Sequence, residues 1–374
     1  MIKVAIIGAG AISDSHILAY LNFKEKCQIV ALADLYVDKA KQKVEAYNLN
    51  AKVYPSYTEL IEKEEFDVAS ICLPPYEHAP TAIALLNSGK NVLVEKPMAP
   101  SLEDCDQMIA AAQKNNRLLS VVAQNRFRTP VMRLNTVLKS GIAGKILFGK
   151  ADSLWWRGSN YYDLWWRGTW EKEGGGCTIN HAVHHIDMYL WMMGMPDSVL
   201  AITTNLNHTN SEVEDFSTAV LFYKNNAIGQ ITASLIHHGE EQQLLFQCEN
   251  AGLSLPWKVC SYNQRENGFP EENSEKAAEI QAYYDSLPEV KNTAHNGQIE
   301  NFLSAIEGKG DLLVDGNQGR NSIMLITAIY LSAHLGTKVD LPLKEDCLFY
   351  TRDGIVKNAK KFHKKTKSVD NLSG

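Results

Sequence analysis

Residues 3–13 read KVAIIGAGAIS. The apolar run Val4-Ala5-Ile6-Ile7 suits a strand buried on both faces, the habit of parallel sheets. Glycines follow at 8 and 10, and Ser13 takes the third place of a G-x-G-x-x-G pattern. Gly8 permits a tight turn, and Gly10 removes the side chain that would block an approaching pyrophosphate. Position 13 needs only something small. HILAYL (16–21) then reads as the helix whose N-terminus faces phosphate.

The context strengthens this short motif. A second strand, QIVALAD (28–34), ends in Asp34 at the reach required for a ribose hydroxyl pair. Its carboxylate repels a 2'-phosphate, and Leu35 and Tyr36 offer nothing to receive one, so NAD is expected over NADP. A second reading of Asp34 makes it the cap of the helix beginning near VDKAKQKVEAY (37–47). Ser56 and Glu59 form a capping box, FDVASICL (66–73) is a strand ended by Pro74-Pro75, and HAPTAIALLNSG (78–89) is a helix stopped by glycine. NVLVEK (91–96) is a strand, Ser101 and Asp104 cap a further helix, and LLSVVAQ (118–124) is one more strand. Strands alternating with helices at this spacing call for a doubly wound, mostly parallel sheet over residues 1–125. Glu95, Lys96 and Gln124 stand at strand ends, where open α/β sheets hold ligands. Arg126 and Arg128 read as surface charges.

The rest of the chain is organised differently. At 374 residues it exceeds one ordinary domain. VMRLNTVLKSG (131–141) is a helix closed by Gly141. WWRGSNYYDLWWRGTW (155–170) holds five tryptophans, two tyrosines and two arginines. It reads equally as core or interface packing and as a lid over a polar ring, with Arg167 and Trp170 as its site-facing members. Alternating segments near 198–206, 215–223, 227–237, 240–250 and 252–259 predict a largely antiparallel sheet, with helices at 295–306 and 320–336. Residues 126–345 therefore form an α+β domain for substrate binding and oligomerisation, followed by a segment, 346–374, with a basic tail. A cofactor domain paired with such a domain leaves a cleft for a second substrate.

Composition narrows the partners. The 45% hydrophobic and 21% charged residues are those of a globular chain. A formal net charge of −6 gives no footprint for nucleic acid. The opening apolar run is too short for a signal core and no stretch reaches a membrane span. Seven scattered cysteines without a C-x-x-C pair argue against disulfides and cysteine zinc sites, which points to the cytoplasm. The tail KNAKKFHKKTK (357–367) reads as a solvated end.

GGGCTINHAVHHID (174–187) concentrates three histidines. On one helix ended by Gly194, Asn180, His184 and Asp187 fall at i, i+4 and i+7, one face, with His181 and His185 on its flank. His181 and His185 have the spacing of a zinc-binding helix, but Ala182 replaces the required glutamate, so no metal is expected. As a base, His184 has the reference pKa to take a proton as hydride leaves a secondary alcohol, with Asn180 orienting it and Asp187 either setting its tautomer or filling a buried contact. The plainer reading makes all three histidines ordinary helix polars; the glycines before them, which let a backbone approach a ligand, weigh against it.

At this point the chain resembles the Gfo/Idh/MocA oxidoreductases over residues 2 to 345. GAGAI (8–12), EKP (95–97), QNRF (124–127) and the glycine run leading to His184 and Asp187 occur in family order and spacing. The resemblance implies that Lys96 contacts the reacting hydroxyl and that His184 is the base. Many members carry aspartate where this chain has Asn180, so a carboxylate–histidine relay is absent here. Cofactor contacts are then expected at Gly8, Gly10, Ala11, Ile12, Asp34, Pro74, Glu95, Lys96 and Gln124. Substrate contacts are expected at Lys96, Arg167, Trp170, Asn180 and His184. WRGTW before the glycines resembles members acting on sugars or inositols, and a homodimer or homotetramer formed through the second domain's sheet is implied. The expected activity is hydride transfer between NAD and a secondary hydroxyl of a cyclic polyol. Two other activities fit the same residues: NAD-assisted glycoside hydrolysis by transient oxidation and elimination, and a non-catalytic dinucleotide-binding sensor.

Overall fold

The computed structural model describes residues Met1–Asp370. In chain order the first elements are β1 (Ile2–Ile7), α1 (Ala11–Leu21), β2 (Cys27–Ala33), α2 (Val37–Ala46), β3 (Lys52–Tyr54) and α3 (Tyr57–Lys63). β4 (Val68–Ile71), α4 (His78–Asn87), β5 (Asn91–Val94), α5 (Leu102–Lys114) and β6 (Leu119–Val121) complete the alternation. Next come α6 (Thr129–Ser140), β7 (Ile146–Leu154), α7 (Trp170–Glu173), α8 (Cys177–Asn180) and α9 (Val183–Met193). The strands β8 (Ser198–Thr204), β9 (Phe216–Phe222), β10 (Ile228–Ser234), β11 (Gln242–Cys248), β12 (Gly252–Leu255) and β13 (Lys258–Cys260) follow. After a short hairpin of β14 (Tyr262–Gln264) and β15 (Pro270–Glu272), the chain ends with α10 (Ser274–Ser286), α11 (His295–Ile306), α12 (Gly316–Leu335), β16 (Val339–Asp340) and α13 (Arg352–Asn358).

The chain forms two units. The first comprises residues 1–124, 171–174 and 292–323. Its sheet runs β3-β2-β1-β4-β5-β6 with every pair parallel, so the strand order reverses between β1 and β4. Both expected caps form: Ser56 Oγ accepts the Glu59 N–H at 3.1 Å and Ser101 Oγ accepts the Asp104 N–H at 3.2 Å. Such caps each contribute about 1 kcal/mol.

The first segment ends at Gln124, beside the expected split at 125, but two later segments return to the same unit. Residues 292–323, assigned from sequence to the second domain, belong to the first. Ile299, Phe302 and Leu303, at i, i+3 and i+4 on α11, are buried in one cluster with Ile17 and Tyr20 of α1. Burying each contributes roughly 2 kcal/mol, enough to bring the helix back. The returning segment also covers the edge strand β6. Gln298 accepts the Ala123 N–H at 2.9 Å and donates to the Val121 carbonyl at 2.7 Å, and Ser120 Oγ donates to the Val314 carbonyl. An edge that sequence periodicity leaves bare is thereby satisfied.

The second unit holds residues 125–170, 175–291 and from 324 onward. Its sheet runs β13-β12-β11-β7-β10-β9-β8-β16. All pairs are antiparallel except β7 with β10, so the expectation of a largely antiparallel sheet holds. Leu200, Ile202, Val220 and Ile228 point out of it and are exposed.

The basic tail keeps most of its charged side chains exposed, as expected, but its backbone is docked. The Phe362 N–H donates to the Glu212 carbonyl at 3.0 Å, and Lys365 Nζ donates to the Tyr162 carbonyl. Val369 exchanges backbone hydrogen bonds with Asp163 and Trp165, at 2.8 and 2.9 Å. Local charge density predicts the solvated side chains; the acceptors that dock the backbone lie 150 or more residues earlier and leave no local signature.

Candidate active site

In the first unit the strand ends converge. Gly8 lies directly after β1 at φ +98°, and a Cβ there would sit 2.6 Å from the Cys72 carbonyl oxygen, so only glycine fits. Gly10 caps α1, and a Cβ on it would meet no atom within 4 Å. The space before the helix N-terminus is open, and Ala11 and Ile12 form the first turn behind it. Ser13 is buried and its hydroxyl donates back to the Gly10 carbonyl at 2.7 Å, which is how the turn accepts a residue other than glycine.

Asp34 follows β2. Its Oδ2 accepts the Ala9 N–H at 2.6 Å and its Oδ1 accepts the Tyr36 N–H at 2.7 Å. It ties the glycine turn to its own loop and makes no side-chain cap on α2. Pro74 follows β4, Glu95 and Lys96 follow β5, and Gln124 follows β6. His78, not singled out from sequence, bridges two of these ends: Nδ1 faces the Pro97 carbonyl and Nε2 the Leu73 carbonyl, each at 2.8 Å. Burial lowers its pKa despite those acceptors.

In the second unit the histidine segment differs from the single helix expected. α8 stops at Asn180 and α9 starts at Val183, so Asn180, His184 and Asp187 do not share one continuous face. The break falls at His181–Ala182, where the Ala182 N–H bonds the Cys177 carbonyl five residues back at 2.9 Å; the glycine run before α8 is shaped separately. A Cβ on Gly175 would overlap the Tyr330 hydroxyl and one on Gly176 the Glu214 carbonyl, while Glu214 accepts the Gly176 and Thr178 N–H groups at 2.9 and 3.0 Å. These glycines are demanded by packing, which replaces the earlier reading of close approach to a ligand. Asn180 is buried and its Nδ2 donates to the Gly175 and Gly176 carbonyls at 3.0 and 3.3 Å.

Asp187 does not orient His184. Both its oxygens are taken by Arg126, with Nε donating to Oδ2 at 2.8 Å and Nη2 to Oδ1 at 2.7 Å, and both residues are buried. Arg126 is thus a core residue and not the surface charge expected; its guanidinium also lies over the Trp191 ring.

The two inner histidines separate clearly. His184 is half-buried in the first turn of α9. His185 is 8% exposed, its Nδ1 has no partner, and burial pushes its pKa down from 6.5 to about 4. A depressed folded pKa contributes stability that is complete above pH 6.5 and lost as pH falls toward 4. Between pH 7 and pH 5 this amounts to about 2 kcal/mol. Urea unfolding should show that loss in the wild type and a smaller one in His185→Leu; equal losses would refute the assignment.

The aromatic stretch 155–170 also divides. Trp170 is 4% exposed, packs edge-on against Tyr330, and donates its indole N–H to the Lys360 carbonyl at 3.0 Å. The expectation that it points into a site is corrected: its one polar atom is spent inside the core. Arg167 is half-buried, with its guanidinium 4.1 Å from the ring centres of both Tyr161 and Trp166. Tyr161 Oη in turn lies 3.3 Å from His181 Nε2. Tyr161, read from sequence only as part of the aromatic stretch, and His181, placed by helical phase on a flank, are therefore candidate site residues.

The chain matches "Oxidoreductase family, NAD-binding Rossmann fold" over residues 2–123 and the GFO/IDH/MocA C-terminal domain over 131–254. It belongs to the GFO/IDH/MocA family. Similar to this GFO/IDH/MocA protein is D-glucoside 3-dehydrogenase of Escherichia coli K12, 25% identical over 359 residues, covering 91% of this chain and 97% of the relative. Inositol 2-dehydrogenase of Salmonella typhimurium is 31% identical over 147 residues, 39% of this chain and 44% of that one. Among solved structures, the WlbA dehydrogenase from Bordetella pertussis in complex with NADH and UDP-GlcNAcA superposes with a TM-score of 0.80 at 27% identity, covering 92% of this chain and 98% of that one. This GFO/IDH/MocA chain is an NAD-binding oxidoreductase, and its own residues fit the cofactor. Gly10 leaves the helix N-terminus open, and Gln124 Oε1 is a buried acceptor with no partner at the end of β6. No helix among the described residues is long and apolar enough to cross a membrane.

Proposed function

We propose that the protein transfers hydride between NAD and a secondary hydroxyl of a sugar, inositol or related cyclic polyol. The observation that carries this reading is the gathering of Gly8, Gly10, Asp34, Pro74, Lys96 and Gln124 at the C-terminal ends of five parallel strands, on both sides of the β1/β4 reversal. That is where open α/β sheets bind dinucleotides. The relatives named above, which act on glucosides and inositols, support a ring-shaped polyol as substrate.

In the proposed mechanism Glu95, Lys96, Gln124, Pro74 and the Gly8–Ile12 turn hold the cofactor, with Asp34 on its adenosine ribose. Lys96 donates to the oxygen of the reacting hydroxyl and so favours the developing alkoxide. His184 removes the hydroxyl proton, and Asn180, whose amide donates to the Gly175 and Gly176 carbonyls, offers it no carboxylate. Arg167 contacts the ring. NAD, when bound, takes up the hydride that leaves the carbon. Retained Lys96 and His184 favour this reading over a sensor, which has no use for a base.

The test is a scan for NADH formation across glucosides, inositols and uronic sugars. Oxidation of at least one ring with net NADH is expected; release of an aglycone without net NADH would favour the hydrolase instead. Asp34→Ala should weaken NADH roughly 10- to 100-fold in a fluorescence titration, the equivalent of one charge-assisted hydrogen bond. NADPH should lose nothing by the change, and a native preference for NADPH would sink the role given to Asp34.

The protein acts as a homodimer or homotetramer in the cytoplasm. Ile202, 64% exposed, and Leu200, 42% exposed, lie on the open sheet face with Val220 and Ile228, an apolar surface suited to a second copy. Light scattering should report an oligomer that Ile202→Lys shifts toward monomer; a monomeric wild type would contradict this. The cysteines of the described residues are all free thiols, which supports a reducing compartment.

A further inference from the structure

Glu95 is held from several sides. Its Oε1 lies 2.9 Å from His16 Nε2, on α1, and 3.8 Å from His295 Nε2, in the first turn of α11. Its Oε2 accepts the backbone N–H of Lys96 at 3.1 Å. His16 and Glu95 are buried and His295 nearly so. An anionic carboxylate is thus buried against the residue expected to touch the reacting oxygen. Neither histidine stands near Glu95 in sequence, and the proposed mechanism uses neither.

The three groups place ligand atoms within 4.8 Å of one another, a spacing that also admits a metal ion. A ligating imidazole, however, passes the proton of its other nitrogen to an acceptor. His16 Nδ1 is buried and has none. As a hydrogen-bonded pair His16 and Glu95 are satisfied: His16 donates from Nε2 to Oε1, its buried Nδ1 carries only a lone pair, and His295 Nε2, 3.8 Å away, makes no hydrogen bond to the carboxylate.

We infer that Glu95, fixed by His16, is a positioning residue for Lys96: it pins the Lys96 backbone at the strand end and holds a carboxylate within the field of its ammonium. The inference rests on the role given to Lys96 above. Burial by itself would raise the Glu95 carboxyl, but His16 against its Oε1, the approach of His295 and the charge of Lys96 outweigh it and hold it well below the usual range. Cys72, after β4, and His78, on α4, also lie in its field. Glu95 therefore stays charged wherever Lys96 titrates.

The test reads Lys96 directly. Reductive methylation of the full-length protein at a series of pH values, quantified for the Lys96 peptide by mass spectrometry, gives the midpoint of its amine. Glu95→Gln keeps the shape and removes the charge, and should lower that midpoint by about one unit. Glu95→Asp keeps the charge, and should leave it within about 0.3 units. If Glu95→Gln folds only with NADH present, wild type and variant are compared in that state. An unchanged midpoint in Glu95→Gln, or an equal drop in Glu95→Asp, would overturn the inference. So would one divalent ion per chain in the purified wild type that His295→Gln loses, since a ligating carboxylate would not be serving Lys96. Labelling needs no substrate: a normal Lys96 shift in a protein that oxidises no sugar would count against the proposed reaction and leave this inference standing.

Discussion

His184→Ala should lose 10²- to 10⁴-fold in kcat while binding NADH with nearly unchanged affinity. The magnitude is that of removing a positioned general base. The separation of the two effects follows from where the residues sit. The turn at Gly8, Asp34 and the strand ends all belong to the first unit, whereas His184 stands on α9 in the second. Of the neighbouring histidines, His185 is buried and already depressed to about 4, so it cannot take over near neutral pH. His181, held near Tyr161, is the one candidate for residual activity. His184→Ala/His181→Ala tests that directly. Steady-state kinetics with parallel NADH titration decide the matter, and a single variant with unreduced kcat would end the case for His184.

Arg126→Leu should be among the most destabilising single changes in the chain, at about 3–5 kcal/mol. It leaves the Asp187 carboxylate buried with no counter-charge, after a bidentate pair at 2.7 and 2.8 Å has been lost. In thermal unfolding this corresponds to a fall in Tm of roughly 10 °C. Arg126→Leu combined with Asp187→Leu should recover a large part, because replacing both charges removes the desolvation penalty with the attraction. If the double variant is no more stable than Arg126→Leu, the penalty arises from lost packing over Trp191 and not from the stranded carboxylate.

What was legible in the sequence is what local pattern controls. The Gly8/Gly10 turn, the capping boxes at Ser56 and Ser101, and Asp34 at a strand end each have a physical cause within a few residues, and each is found in the fold. The elements that escaped depend on partners far along the chain. Nothing beside Arg126 announces Asp187, sixty-one residues on. Nothing in HNGQIENFLSAI says that Ile299, Phe302 and Leu303 pack on α1, so the helix was assigned to the wrong unit. Helical phase grouped Asn180 with His184, but α8 ends at Asn180 and α9 begins at Val183, so the single helix that the phase assumed does not form. Trp170 shows the same limit: an indole dense in aromatic company reads as a ligand wall until its N–H is found on the Lys360 carbonyl of the distant tail. The tail, basic enough to look solvated, is docked by backbone bonds that composition does not encode.

The central claim is that hydride passes from a ring carbon to NAD while His184 takes the hydroxyl proton. The most direct measurement supplies a polyol found active in the substrate scan, deuterated at its reacting carbon, with NAD, and follows the label by mass spectrometry. One deuterium in each NADH formed, matched by one oxo-sugar, is the expected result, with both products lost in His184→Ala. Deuterium washed into water or returned to a hydrolysed sugar, without labelled NADH accumulating, would contradict it.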